Sequence, residues 1–110
     1  KSEFDSRLDI FFNTHGDYDC LMICFTNQQT PIPVDDCVSH CVKTSNAAGY
    51  VLSGKFVDRL LVCMESAYPL LAQTGQHWLY TNDASWFPLQ RPNKWFVFNK
   101  RMAVQRGMPD

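Results

Sequence analysis

A cysteine and a histidine, far apart in this chain, could together perform nucleophilic chemistry. Cys20 ends the polar segment 13–20 and opens an apolar run at 21–25, while His77 begins the alternating segment 77–81. A thiol attacks as the thiolate, and both a helix N-terminus and a nearby imidazole lower its pKa. The pattern predicts Cys20 in the first turn of a buried helix as the nucleophile, and His77 on a half-buried strand as the general base.

The five cysteines also permit an interpretation without catalysis. Cys20, Cys24, Cys37 and Cys41 form two C-x-x-x-C pairs. On two helices, this spacing allows Cys20–Cys41 and Cys24–Cys37 disulfides, with Cys63 free or bridging two chains. Against this, five is an odd number, and 110 residues can form a core without disulfides. These arguments favour reduced thiols, which in apolar runs act as small core residues.

A metal site is a weaker possibility for the same segment. Cys37, His40 and Cys41 could bind zinc, but the three-residue spacing between the cysteines fits the usual zinc knuckle poorly. We therefore expect no metal and no other cofactor.

Composition restricts the classes of partner. The formal net charge is −1, and basic and acidic residues are well mixed. This balance gives no support for binding nucleic acid or an anionic membrane surface. The apolar runs are far shorter than the roughly 20 residues that span a bilayer. A hydrophobic content of 45% in 110 residues fits one domain with one core.

The apolar pattern changes along the chain. The first part predicts three helices, at 20–28, 36–43 and about 54–67, with a helix or strand at 3–12, a loop at 45–49, and Pro69 ending the longest helix. After Gly75 the period becomes two, which predicts an antiparallel sheet built from 77–80, 86–87 and 94–98. The fold class is therefore α+β, with a helical part at about 1–74 and a sheet part at about 75–106.

Three short segments share their residue pattern with known cysteine proteases. The segment 16–21, GDYDCL, is similar to the D-G-x-C-L segment of ovarian-tumour-type proteases. Ser53-Gly54-Lys55-Phe56 and Gln76-His77-Trp78 are similar to a helix start and a histidine strand of arterivirus leader proteases. The chain thus resembles the papain-like leader proteases of positive-strand RNA viruses, of the arterivirus and foot-and-mouth type. It departs from them at Leu21, where most carry Trp, and in its short Cys-to-His separation.

The resemblance implies a minimal papain-like fold in a single domain, 1–110, with N-terminal helices packed on a C-terminal antiparallel β meander. Asn93 would orient His77, because Asn93-Lys94-Trp95 is similar to the N-x-W of papain-like enzymes, and Asp83 is the alternative. Asn13 or the region of Asp17 would form the oxyanion site. Both Asn93 and Asp83 are also ordinary turn residues.

The implied activity is that of a thiol endopeptidase in the host cytoplasm. Its substrate would be a peptide or polyprotein, cut near Gly107 at its own C-terminal side, and a host protein could be a further partner. The alternative is a secreted, non-enzymatic binding protein whose helical hairpin is joined by disulfides. Neither interpretation sets the oligomeric state.

Overall fold

The chain forms a five-stranded mixed sheet with helices on both faces, which confirms the α+β class. The computed structural model describes residues 2–100, without the side chains of residues 46–48, 82 and 83. The elements are α1 (Glu3–Thr14), β1 (Cys20–Gln29), β2 (Ile32–Pro33), β3 (Val38–His40), β4 (Lys43–Leu52), a 3-10 turn (Gly54–Phe56), α2 (Val57–Thr74), α3 (His77–Tyr80), α4 (Asn82–Ser85), α5 (Phe87–Gln90) and β5 (Trp95–Phe98).

Helix α1 covers one face of the sheet. The Ser2 hydroxyl accepts a hydrogen bond from the Asp5 backbone N–H at 3.1 Å, which caps the helix N-terminus. Its apolar positions Phe4, Leu8 and Phe11 pack on sheet residues such as Phe96. The segment 3–12 is therefore a helix, one of the two structures that its pattern permits.

The strand order is β2-β3-β5-β1-β4, so β1 lies inside the sheet between β5 and β4. Strand β1 pairs antiparallel with β4 and parallel with β5, while β5 pairs antiparallel with β3. The predicted helix at 20–28 is wrong. Cys20 and Met22 face the α2 side of the sheet and Leu21 faces the α1 side. A strand covered by helices on both faces is apolar at every position, as a buried helix is.

The predicted helix at 36–43 is also wrong, because this segment contains β3. The Asp35 carboxylate accepts hydrogen bonds from the backbone N–H groups of Cys37 (2.8 Å) and Val38 (2.9 Å). It thus closes a turn that leads into a strand, instead of capping a helix. The predicted loop at 45–49 lies within β4.

Helix α2 lies on the opposite face of the sheet from α1. The predicted helix at 54–67 is confirmed, but Pro69 does not end it. The helix continues to Thr74 and ends at Gly75, whose φ of 68° is the left-handed conformation typical of a helix C-terminus. Packing of residues on both sides of Pro69 offsets the one backbone hydrogen bond that proline cannot donate.

The C-terminal antiparallel meander is the largest error in the predicted architecture. Residues 77–90 form the short helices α3, α4 and α5, and only β5 is a strand within the described part of 75–106. Residues 101–106 lie outside the described residues. Trp86 is fully buried and packs edge-on against Tyr50 and Trp95, so this aromatic residue belongs to the core without being part of a sheet.

Helix α5 takes the place of a neighbouring strand at the β4 edge. The Gln90 side chain accepts a hydrogen bond from the Thr44 N–H at 2.8 Å and donates one to the Thr44 carbonyl at 2.7 Å. A buried amide here satisfies both backbone groups that an edge strand would otherwise leave unpaired.

Candidate functional site

Cys20 lies in the centre of the sheet. It is fully buried on β1, between Leu52 of β4 and Trp95 of β5. Burial raises the pKa of its thiol far above the usual range, and the nearby Cys41 and Asp19 add to the increase. The prediction of a helix N-terminus at Cys20 is wrong, and neither condition that favours a thiolate is met. The geometry therefore does not support Cys20 as a nucleophile.

His77 begins the short helix α3, so its predicted placement on a strand is wrong. The residue is exposed, and its ring packs edge-on against Trp78 at a centroid distance of 5.1 Å. Within residues 2–100, no hydrogen bond connects the His77 ring to Cys20. The structure does not bring the predicted nucleophile and base together.

Asn93 has a structural role at the start of β5. Its side-chain oxygen accepts a hydrogen bond from Arg59 of α2 at 2.8 Å, and its amide donates to the Leu89 carbonyl at 2.7 Å. Its backbone carbonyl is 2.6 Å from His40 Nε2. These bonds tie α2, α5 and β3 together, and none of them involves His77.

The remaining predicted site residues lie on separate elements. Asp83 is in α4, and its side chain is not among those described. Asn13 is exposed in the last turn of α1. Asp17 is exposed and pairs with Lys94, whose hydrogen bond holds the pKa of the Asp17 carboxyl below its usual range. Gly107, the predicted cleavage position, lies outside the described residues.

The disulfide-joined helical hairpin is wrong as well. Its segments are strands, and none of the five cysteines forms a disulfide. Cys20 pairs with Trp95 on one side, while the Cys41 N–H donates to the Trp95 carbonyl at 2.8 Å on the other. Two strand spacings separate the cysteine backbones by about 9.5 Å. A disulfide rarely joins Cα atoms more than about 7 Å apart.

Sequence reasoning missed an exposed apolar surface on α2. The helix buries Leu60 in the core cluster on the sheet and Ala67 on the side of α3 and α4, but it leaves Leu61 49% exposed and Tyr68 73% exposed. Five residues make up the surface that we call the α2 stripe: Val57, Leu61, Met64, Tyr68 and Leu71. Met64 and Leu71 are half-buried and connect the exposed members to the core. The signal was in the sequence, because α2 carries more apolar residues than one buried face can use.

Two acidic residues border the α2 stripe on its solvent side. Asp58 and Glu65 are both exposed, one position after Val57 and Met64. Neither carboxylate has an ion-pair partner within residues 2–100. An apolar stripe with an unpaired acidic border is a surface on which both shape and charge can be matched by a partner.

A second candidate is a groove of about 670 Å³ between α1 and the turn at 35–37. Its carboxylates include Glu3, which pairs with Lys100 at 2.8 Å, and Asp35, which is 2.8 Å from His15 Nε2. The hydrogen bonds that Asp35 receives from His15 and the 35–38 turn outweigh its desolvation and lower the pKa of its carboxyl. Glu3 and Asp35 are thus paired, and of the acidic lining residues only Asp36 has no ion-pair partner within residues 2–100, so the groove offers less unpaired charge than the border of the α2 stripe.

No other class of site emerges from the described part of the chain. Residues 2–100 hold no group of three or more His, Cys, Asp or Glu side chains that could bind a metal ion. None of the helices described is long and apolar enough to cross a membrane. Comparisons with protein-family models, curated proteins and solved structures found no match. The resemblance to leader proteases therefore remains a prediction from three short motifs.

Proposed function

We propose that this chain is a non-enzymatic protein-interaction domain that binds a helix of a partner protein along the α2 stripe. The observation that carries the proposal is the exposure of Leu61 and Tyr68 on a helix that is already anchored in the core by another face. Large apolar side chains left exposed next to one another commonly mark interaction surfaces.

The spacing of the α2 stripe favours a helix as the bound element. Its members recur at intervals of four, three, four and three residues, from Val57 to Leu71. This is the repeat by which two helices pack side chains into the gaps of each other's surface. Helix α2 has 18 residues and is therefore about 27 Å long, enough for more than two such repeats.

The energetics also favour this surface. Helix α2 is held in place by Leu60 and Ala67, so binding on its outer side requires little ordering within this domain. Tyr68 supplies a large, rather rigid side chain of the type that dominates the energy of protein interfaces. Leu61 lies one turn from Met64 and would occupy the middle of the contact.

An NMR titration tests the proposal. The probe is a synthetic helical peptide of about three heptads with Leu at the apolar positions and Gln at the flanking positions. We expect the backbone amide signals that shift to cluster at 57–71. Shifts that cluster at the α1 groove instead, or an absence of binding, would contradict the proposal.

A further inference from the structure

The border of the α2 stripe indicates which kind of helix would bind there. In heptad terms, Val57, Met64 and Leu71 occupy the d positions, and Leu61 and Tyr68 the a positions. The e positions are then Asp58, Glu65 and Ala72, so both charged residues of this border are acidic. In paired helices, e and g residues contact the partner's flanking residues and set partner choice.

Resting on the proposed function, we propose that the partner helix carries Lys or Arg beside its apolar residues, opposite Asp58 and Glu65. The two carboxylates lack ion-pair partners within residues 2–100, so a partner's cations would meet uncompensated charge. The cationic side chains nearest in sequence are engaged elsewhere. Arg59 donates to Asn93 and lies over the Phe56 ring, and Lys55 lies 3.5 Å from Asp19.

The other border of the stripe is not available for charge pairing. The g positions include Leu60, which is buried in the core, and Ala67, which is buried on the side of α3 and α4. Only the e border can therefore contact flanking residues of a partner. The charge preference of the surface is set by Asp58 and Glu65 alone.

The same geometry argues against a second copy of this chain as the occupant. In a parallel pair, e residues face g residues of the partner, and these are buried here. In an antiparallel pair, e residues face e residues, which would place Asp58 near Glu65 of the second copy. Like charges at such positions oppose association. The acidic border therefore selects a different protein.

A set of three peptides tests this inference on the full chain. All three share Leu at the apolar positions, and they carry Lys, Gln or Glu at the flanking positions. We expect the wild type to bind the Lys peptide about tenfold more tightly than the Glu peptide, with the Gln peptide between them. The difference should shrink as salt concentration rises, because the charges are exposed.

A charge-reversed variant and a matched control complete the test. Asp58→Lys combined with Glu65→Lys should reverse the order of the peptides, since both side chains are exposed on the border of the stripe. Asp36→Lys, which changes an exposed carboxylate beside the α1 groove, should keep the wild-type order.

The outcomes separate this inference from the function on which it rests. Equal binding of all three peptides at the α2 stripe would overturn the charge preference and leave helix docking intact. Failure of all three to bind would overturn both. A dimer in sedimentation experiments that Leu61→Asp dissociates would show that a second copy occupies the stripe, contrary to the inference.

Discussion

The interior of the sheet and the outer side of α2 differ in solvent exposure, which decides whether a side chain can contact a partner. Cys20 on β1, Trp95 on β5 and Cys41, which directly follows β3, lie side by side and are fully buried. Leu61 and Tyr68, of residue types usually found in cores, are largely exposed. A residue of a reactive type therefore does not define a functional site unless solvent can reach it. An exposed apolar residue, in contrast, can form part of a binding site.

Thiol labelling should show the largest difference between buried and accessible positions. Iodoacetamide should modify Cys63, which is only partly buried, at least about 10³-fold faster than Cys20, because Cys20 reacts only when the domain opens. Peptide mapping by mass spectrometry after timed labelling measures both rates. Labelling of Cys20 ahead of Cys63 at neutral pH would contradict the buried position and revive the predicted nucleophile.

Two tryptophans provide a matched comparison of stability. Trp95→Ala should lower the free energy of unfolding by about 3–5 kcal/mol, because its ring packs against Phe56 and Trp86 in the core. Trp78→Ala should change it by less than about 0.5 kcal/mol, since Trp78 is 59% exposed. Urea unfolding followed by circular dichroism measures both. Similar losses from the two substitutions would contradict the assigned burial.

Neighbouring leucines of α2 repeat the comparison within one helix. Leu60, 4% exposed, faces the sheet, whereas Leu61 belongs to the α2 stripe. Leu60→Ala should cost about 2–5 kcal/mol of unfolding free energy. For Leu61→Ala, a change of less than about 1 kcal/mol is expected. Chemical unfolding of the two variants should therefore give clearly separated midpoints, and equal midpoints would mean that the outer stripe is part of the core.

A smaller effect on stability is expected for Asp35, in the turn at 35–37 that contacts α1. The pKa of Asp35 is lowered in the folded state, so its contribution to stability is present above the unfolded pKa of about 3.9 and is lost as pH falls through the folded value. Because Asp35 is about one-third exposed, this contribution is under about 1 kcal/mol. Asp35→Asn should flatten the loss of stability below about pH 4.

The control for this prediction is Asp36→Asn, at an exposed position with no ion-pair partner within residues 2–100. Its stability should follow pH as the wild type does. If the stability of Asp35→Asn instead depends on pH as that of the wild type does, the Asp35–His15 contact does not contribute to stability.

Amphipathic segments were the predictable part of the fold. Helix α2 follows from apolar residues at helical spacing. The α+β class is confirmed, although the change in pattern that predicted it put the sheet after Gly75, where residues 77–90 are helical. Strand β1 was missed because residues 20–25 are apolar at nearly every position, and periodicity cannot separate a covered central strand from a buried helix. The pairing with β5, 75 residues later, is a long-range contact with no local signal.

The prediction of a sheet in the C-terminal segment was wrong for a different reason. Trp86 and Gln90 serve the core and the β4 edge through contacts with Tyr50 and Thr44, which lie far away in the sequence. Those contacts, and not a period of two, explain why Trp86 and Gln90 are buried. The α2 stripe could have been found from the sequence, because its apolar positions outnumber those of a single buried face. Its exposure required the structure.

The most direct test of helix docking compares two neighbouring aspartate substitutions on α2. Leu61→Asp places a charge within the stripe, and Val62→Asp places it at a position that is 63% exposed and outside the stripe. Affinity for the Gln-flanked helical peptide is measured by fluorescence anisotropy. The account predicts at least about a tenfold loss for Leu61→Asp, or about 1.4 kcal/mol, and little change for Val62→Asp. Equal affinities of the two folded variants would contradict it.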